Sequence, residues 1–100
     1  MESPSVRYFV ALCEEKHFGA AAKRCGISQP TLTNAIKRLE RLAGSPLFVR
    51  GSPAKLTPLA LVLKPHFEQM LRTSDQVHRE IARARQMEVV DGLENGTTMS

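Results

Sequence analysis

The clearest pattern of apolar and polar positions lies between residues 28 and 43. Apolar residues recur there at i, i+4, i+7 and i+11, the spacing of one face of an α-helix: Leu32, Ile36, Leu39 and Ala43. Ser28 is a good N-cap for this helix, and Pro30 falls in its first turn, where a missing N–H costs nothing. Just upstream, Gly26 suits a sharp turn after a short Ala-rich helix. The pattern predicts a helix-turn-helix whose second helix covers 28–42.

A further helix precedes this motif. Ser3 and Pro4 resemble a cap followed by a first-turn proline. Four apolar residues then follow at helical spacing: Val6, Phe9, Val10 and Cys13. We expect this first helix to run to about Lys16 with those residues facing the core.

Two short β-like runs follow the helix-turn-helix. Gly44 is a natural helix stop, and the runs at 47–50 and 55–57 are separated by a Gly-Ser-Pro-Ala turn composition at 51–54. We expect a two-stranded hairpin, or wing, beside the second helix of the motif. The fold class is therefore mainly α: a winged helix-turn-helix of three helices and a two-stranded wing over residues 1–57.

A long helix is predicted after the wing. Thr57 and Pro58 are another cap-and-proline start, and apolar or small residues then alternate at spacings of four and three: Leu63, Phe67, Met70, Ser74, Val77, Ile81 and Ala84. A stripe this narrow is typical of a coiled-coil seam. We therefore predict a linker helix at 58–88 that dimerises through this seam and is kinked near 61–64 by Pro65. Residues 89–100 lose the pattern and read as a linker or tail.

Basic charge is concentrated in the first part of the chain. The net charge is +4, but residues 1–58 hold nine Lys and Arg against four acids, a net of +5, and residues 59–100 hold five against six, a net of −1. The excess therefore coincides with the helix-turn-helix, as a surface that binds DNA phosphates requires.

The polar face of the 28–42 helix, called here the reading helix, carries the candidate DNA contacts. Its first two turns present groups that can reach base edges or thymine methyls, with the amides of Gln and Asn suited to adenine: Gln29, Pro30, Thr31, Thr33 and Asn34. Phosphate contacts fall to a helix-start N–H and to cations: Ser28, Lys37, Arg38 and Arg41. The plainer alternatives are a cap for Ser28, a helix-start role for Pro30 and solvated side chains for the cations.

Several other classes find little support. No apolar run approaches the roughly 18 residues that span a bilayer, no signal peptide opens the chain, and two cysteines without an export signal favour the reducing cytoplasm. Cys13 and Cys25 are expected to pack as buried thiols. We find no metal-binding spacing of His and Cys, no phosphate-cradling glycine loop and no catalytic constellation. We therefore expect no enzyme activity, metal or cofactor.

At this point the chain resembles the N-terminal DNA-binding domain of LysR-type transcriptional regulators over about residues 4–87. The matching motifs are His17-Phe18, Ala21-Ala22, Ile27-Ser28-Gln29-Pro30, Leu39-Glu40, Pro46-Leu47-Phe48 with Arg50, and Leu56-Thr57-Pro58. The chain departs from the family pattern at Ala43, at Leu59-Ala60 and at Pro53. Pro53 replaces a frequent wing arginine, so Arg50, a backbone contact by family match, and Lys55 are expected to supply the wing's contacts.

The resemblance implies a bacterial regulator that binds interrupted inverted repeats in promoter DNA as a homodimer or tetramer. It also implies a C-terminal effector-binding domain, absent here, through which a small-molecule effector would act. We therefore expect the chain to be the DNA-binding portion of a longer protein. The alternative is a protein-interaction module whose 58–88 helix pairs with a full-length regulator and inhibits it.

Overall fold

In a computed structural model, the structure describes residues 4–95, with side chains described to residue 87. The elements are α1 (Pro4–Glu15), α2 (Phe18–Cys25), α3 (Gln29–Ala43), β1 (Phe48–Val49), β2 (Lys55–Leu56) and α4 (Pro58–Asn95). The strands pair antiparallel, with Phe48 opposite Leu56 and Val49 opposite Lys55. This is the predicted winged helix-turn-helix followed by a long helix.

Local sequence determines where the helices begin and end. Gly26 and Gly44 end α2 and α3 in the left-handed region, at φ of 71° and 79°, which glycine adopts without a Cβ penalty. Ser28 caps α3 by accepting the Thr31 N–H at 3.2 Å. Thr57 caps α4 in the same way, because its hydroxyl accepts the Ala60 N–H at 3.2 Å. These boundaries agree with the predicted caps and stops.

Three phenylalanine rings meet at the centre of the core. The Phe9 ring on α1 is fully buried and lies 5.4 Å from the Phe48 ring on β1 and 4.9 Å from the Phe67 ring on α4. Around them pack apolar side chains from α1, α2 and α3, and Ala21 and Ala22 are buried where the helices approach closely. The head, by which we mean residues 4–57, is thus joined to the first turns of α4 by a shared core.

Two sequence expectations about α3 and α4 need correction. Ala43 was assigned to the buried stripe of α3, but it is exposed, because it is the last residue of the helix and lies beyond the buried positions. The helix α4 continues past residue 88 as far as Asn95, the last residue that the structure describes. A single glycine inside a helix costs only about 1 kcal/mol, so Gly92 does not stop it. Residues 96–100 of the predicted tail lie outside the described part of the chain.

The predicted seam of α4 divides into two parts. Leu63 and Phe67 are half-buried and pack against the core of their own chain, whereas Met70, Val77 and Ile81 are 41–50% exposed. A heptad pattern drifts about 20° per heptad around a straight helix, and the head contacts α4 as far as Asp75, which binds Arg7. The stripe therefore faces the head at Leu63, Phe67 and Ser74, which is 7% exposed, whereas Met70 and the stripe residues from Val77 onward face solvent.

Candidate DNA interface

The reading helix, observed as α3, presents one buried and one exposed face. Its buried side chains are Leu32, Ala35, Ile36 and Leu39. Thr33 is half-buried at the edge of the buried face. The other α3 residues predicted to contact DNA, and the cap residue, are exposed: Ser28, Gln29, Pro30, Thr31, Asn34, Lys37, Arg38 and Arg41. At 100° per residue, Pro30, Asn34, Lys37 and Arg41 lie on the side opposite the buried stripe. The structure therefore brings these four together on one outward face.

Ser28 and Thr31 are engaged with each other at the start of α3. Besides the cap bond, the Ser28 hydroxyl donates to Thr31 Oγ1 at 2.9 Å. Both side chains are therefore occupied in shaping the first turn, which was the plainer alternative for Ser28. Pro30 has no N–H and the Thr31 N–H is bonded to Ser28, so the Gln29 N–H is the first-turn donor that an approaching anion could reach.

Gln29 lies against the first turn of α2. A Cβ built on Gly19 would stand 3.4 Å from Gln29 Oε1, so the carboxamide rests beside a residue without a side chain. This contact joins the first residue of the reading helix to the second residue of α2. Gly19 was not among the predicted site residues, because its contact with Gln29 depends on how α2 packs against α3, which residue spacing alone does not specify.

Arg50 and Lys55 extend the exposed basic surface onto the wing. The Arg50 guanidinium carbon lies 4.7 Å from the centroid of the Phe18 ring, a cation–π distance. Lys55 is exposed on β2. The wing is tied to the end of α1, because the Ala54 N–H donates to the Lys16 carbonyl at 2.8 Å. Arg50 and Lys55 therefore lie on a wing that is hydrogen-bonded to the residue following α1.

Glu40 is a residue that the sequence analysis did not assign to the site. Its Oε2 accepts the backbone N–H of Leu47 at 2.8 Å and that of Phe48 at 3.3 Å. The carboxylate therefore connects the reading helix to the start of the wing. The available signal was an acid in a helix that is otherwise basic, four residues before Gly44.

The two cysteines differ in burial. Cys13 is 5% exposed, and burial raises the pKa of its thiol to about 12. Cys25 is only half-buried, and burial raises the pKa of that thiol as well. Cys13 is therefore a packed thiol as predicted, whereas Cys25 is less buried than expected.

Beyond the head, α4 presents an exposed apolar stripe. Met70, Val77, Ile81 and Ala84 are exposed, and Val62, at 63% exposure, lies at the edge of this side, about 40–100° around the helix from its members. Sequence spacing missed Val62 because it lies one residue before the heptad position. Within residues 4–95, no helix has both the length and the apolar character that crossing a bilayer requires.

A helix-turn-helix with an exposed polar reading helix and an adjacent basic wing defines a protein of the winged helix-turn-helix class. Residues 4–61 match the family model for the bacterial regulatory helix-turn-helix protein of the lysR family. This chain belongs to the LysR family.

Individual relatives agree with this membership. The chain is 38% identical over 86 residues to the transcriptional regulator IlvR of Caulobacter vibrioides, covering 85% of this chain and 29% of that protein. It is 58% identical over 50 residues to BudR of Klebsiella aerogenes, covering 50% of this chain and 35% of BudR. The chain thus spans about a third of the length of these curated relatives.

Solved structures show the same fold. The DNA-binding domain of BenM in complex with its catB site 1 DNA superposes with a TM-score of 0.76 and 38% identity, covering 83% of this chain and 93% of that one. VV2_1132, a LysR family transcriptional regulator, superposes with a TM-score of 0.78 and 30% identity, covering 84% of this chain and 29% of that one.

Proposed function

We propose that this chain binds double-stranded promoter DNA in a sequence-specific manner, as the DNA-binding portion of a LysR-type regulator. The observation that carries the proposal is the outward face of α3, where the amide of Asn34 and the cations of Lys37 and Arg41 are exposed together. A helix of this kind fits the major groove. The DNA complex of the similar BenM domain supports this assignment.

Roles within the interface follow from chemistry. Gln29 and Asn34 read adenine edges through their amides, and Pro30, Thr31 and Thr33 contact neighbouring groups in the groove. Cations bind phosphates and supply affinity that depends on salt: Lys37, Arg38, Arg41, Arg50 and Lys55. Ser28 contributes through the backbone at the start of α3, since its hydroxyl is occupied by Thr31.

The chain pairs with a second copy through the exposed stripe of α4. Leu63 and Phe67 are used within their own chain, so the pairing surface consists of Met70, Val77, Ile81 and Ala84, with Val62 at its start. Apolar side chains exposed along one side of a helix are typical of a helix-pairing surface. Such a pair, or a tetramer of the whole regulator, would read two related half-sites of an interrupted inverted repeat.

The alternative is a protein-interaction module that inhibits a full-length regulator through α4. It is not favoured, because it leaves the exposed polar and basic face of α3 without a role. On either view the effector-binding function belongs to a domain outside this chain, and this chain needs no cofactor. The intracellular location of DNA makes the bacterial cytoplasm its place of action.

Selection of bound duplexes from a random library at about 0.15 M salt tests the proposal. We expect enrichment of an interrupted site with two-fold symmetry. Binding without an enriched motif would restrict the chain to phosphate contacts. No binding to any duplex would overturn the proposal and favour the interaction module.

A further inference from the structure

The contact between Arg50 and Phe18 places a wing cation on an aromatic surface. The Phe18 ring is half-buried and meets the buried Phe48 ring edge-on, with centroids 6.4 Å apart and an interplanar angle of 70°. The guanidinium carbon of Arg50 lies over this ring at 4.7 Å. One side of the ring is therefore anchored to the core through Phe48, and a face is covered by an exposed cation.

The contact with Phe18 leaves N–H donors of the Arg50 guanidinium available to a further partner. A guanidinium carries five N–H donors in a fixed fork, and a contact with one ring cannot consume all of them. Arg7 and Arg24 differ in this respect, because they bind the carboxylates of Asp75 and of Glu14 and Glu15. Among the described side chains, no carboxylate forms an ion pair with Arg50. Its charge is therefore available to an anion from outside the chain.

Two contacts made by neighbouring residues of α2 link Arg50 to the start of the reading helix. The Phe18 ring contacts the Arg50 guanidinium, and the next residue, Gly19, lies against Gln29, the first residue of α3. Consecutive residues of α2 thus position a base reader and a cation. A phosphate beside the bases that Gln29 reads would lie within reach of this edge of the head.

We infer that Phe18 is a positioning residue for DNA binding. Its ring orients the Arg50 guanidinium so that the N–H edge meets a backbone phosphate beside the groove that α3 enters. The aromatic contact restricts a flexible side chain before the DNA arrives, and less freedom is then lost on binding. This inference rests on the proposed DNA-binding function and assigns a role to a residue that itself need not touch DNA.

A double-mutant cycle with a salt titration tests the inference. Affinity for the selected duplex would be measured by fluorescence anisotropy for the wild type, Phe18→Leu, Arg50→Ala and the double variant. Arg50→Ala should weaken binding and reduce the slope of log K against log salt by about 0.9, the value for one phosphate. Phe18→Leu should weaken binding about two- to fivefold, as an exposed cation–π contact implies, and should leave the slope unchanged because the charge remains. In the Arg50→Ala background it should cost nothing further.

Two conservative variants separate positioning from folding. Phe18→Tyr keeps an aromatic face and should restore the affinity lost in Phe18→Leu. Arg50→Lys keeps the charge at an exposed position, where folding is not at risk, and should lose affinity with an unchanged slope because an ammonium lacks the fixed fork of N–H donors that the oriented guanidinium presents to the phosphate. Thermal melting of every variant, done first, sets a temperature at which all are folded.

The outcomes distinguish failure of the inference from failure of the proposed function. If Phe18→Leu costs the same factor with and without Arg50, the ring acts through packing and the inference is wrong. It is also wrong if Arg50→Lys binds as tightly as the wild type, or if Phe18→Leu binds more tightly, which would mean that the ring competes with DNA for Arg50. If the wild type binds no duplex, the proposed function itself fails.

Discussion

The Glu40 carboxylate accepts the Leu47 N–H at 2.8 Å and so joins the reading helix to the wing. The same oxygen also accepts the Phe48 N–H at 3.3 Å. The chain between the two elements turns at Gly44, and an ionised acceptor makes these bonds stronger than neutral ones. The position of the wing relative to α3 is therefore held by a single side chain as well as by the core.

Replacing Glu40 tests this connection. Glu40→Ala leaves two backbone N–H groups near the core without an acceptor, so the free energy of unfolding should fall by about 1–3 kcal/mol. Urea denaturation followed by circular dichroism measures the change. The control is Glu80→Ala on the exposed surface of α4, where we expect a change below about 0.5 kcal/mol. Equal effects of the two variants would contradict the role assigned to Glu40.

The proposed roles of Asn34 as a base reader and Lys37 as a phosphate contact predict two different effects on DNA binding. Asn34→Ala should reduce discrimination at one base pair by about 1–3 kcal/mol. Lys37→Ala should weaken binding to all sequences alike and lower the salt slope by about 0.9. Titration of the selected duplex and of its single-base variants measures both effects. A loss with Lys37→Ala that is confined to one base pair would reassign Lys37 as a base reader.

The exposed part of the α4 stripe predicts which substitutions separate a dimer without unfolding the chain. Val77→Glu puts a charge on a side chain that is 50% exposed, so the head should remain folded while sedimentation shows a monomer. Gln86→Glu adds the same charge on the opposite side of α4 and should leave the dimer intact. Phe67→Ala should instead lower the stability of the head, by up to about 3 kcal/mol. A dimeric Val77→Glu variant would place the pairing surface elsewhere.

Burial of Cys13 predicts an alkaline loss of stability. Its pKa is raised from 9.0 to about 12 in the folded chain, so between these values the unfolded chain ionises while the folded one stays protonated. The stabilising contribution is complete below pH 9 and is lost as pH rises toward 12, with a slope approaching roughly 1.4 kcal/mol per pH unit. Urea denaturation of the wild type and Cys13→Ala from pH 8 to 10.5 measures it, and the two stabilities should converge as pH rises. Parallel curves would show that Cys13 does not cause the loss.

Local signals in the sequence predicted where α2 ends and where α3 begins and ends. Contacts between residues far apart in the sequence could not be predicted in the same way. Ser28, Gly26 and Gly44 act within one turn of their own position, so spacing and residue type were sufficient to predict them. The hydrogen bonds of Glu40 and the stacking of Arg50 on Phe18 join segments that only the folded core brings together. The exposed face of α3 could therefore be predicted in advance, whereas the contacts that hold α3 and the wing in place could not.

The same limit explains the seam of α4. The heptad pattern correctly marked one side of a helix, but a pattern carries no information about what covers that side. Phe9 of the head packs on Phe67, and this contact removes Phe67 from the surface that a second copy could reach. The extent of α4 was also predicted too short, because the loss of the heptad pattern after residue 88 was taken as the end of a helix that continues to Asn95.

The three-ring contact has a mechanical consequence. Phe9 touches Phe48 in the wing and Phe67 in α4 at once, and the Thr57 hydroxyl donates to the Pro46 carbonyl at 2.9 Å across the junction. We therefore expect the head and the first turns of α4 to move as one rigid body, without a hinge at residue 58. If two chains pair through α4 as proposed, the angle between their reading helices would be set where the two α4 helices cross, and a small shift there would produce a larger displacement at the DNA.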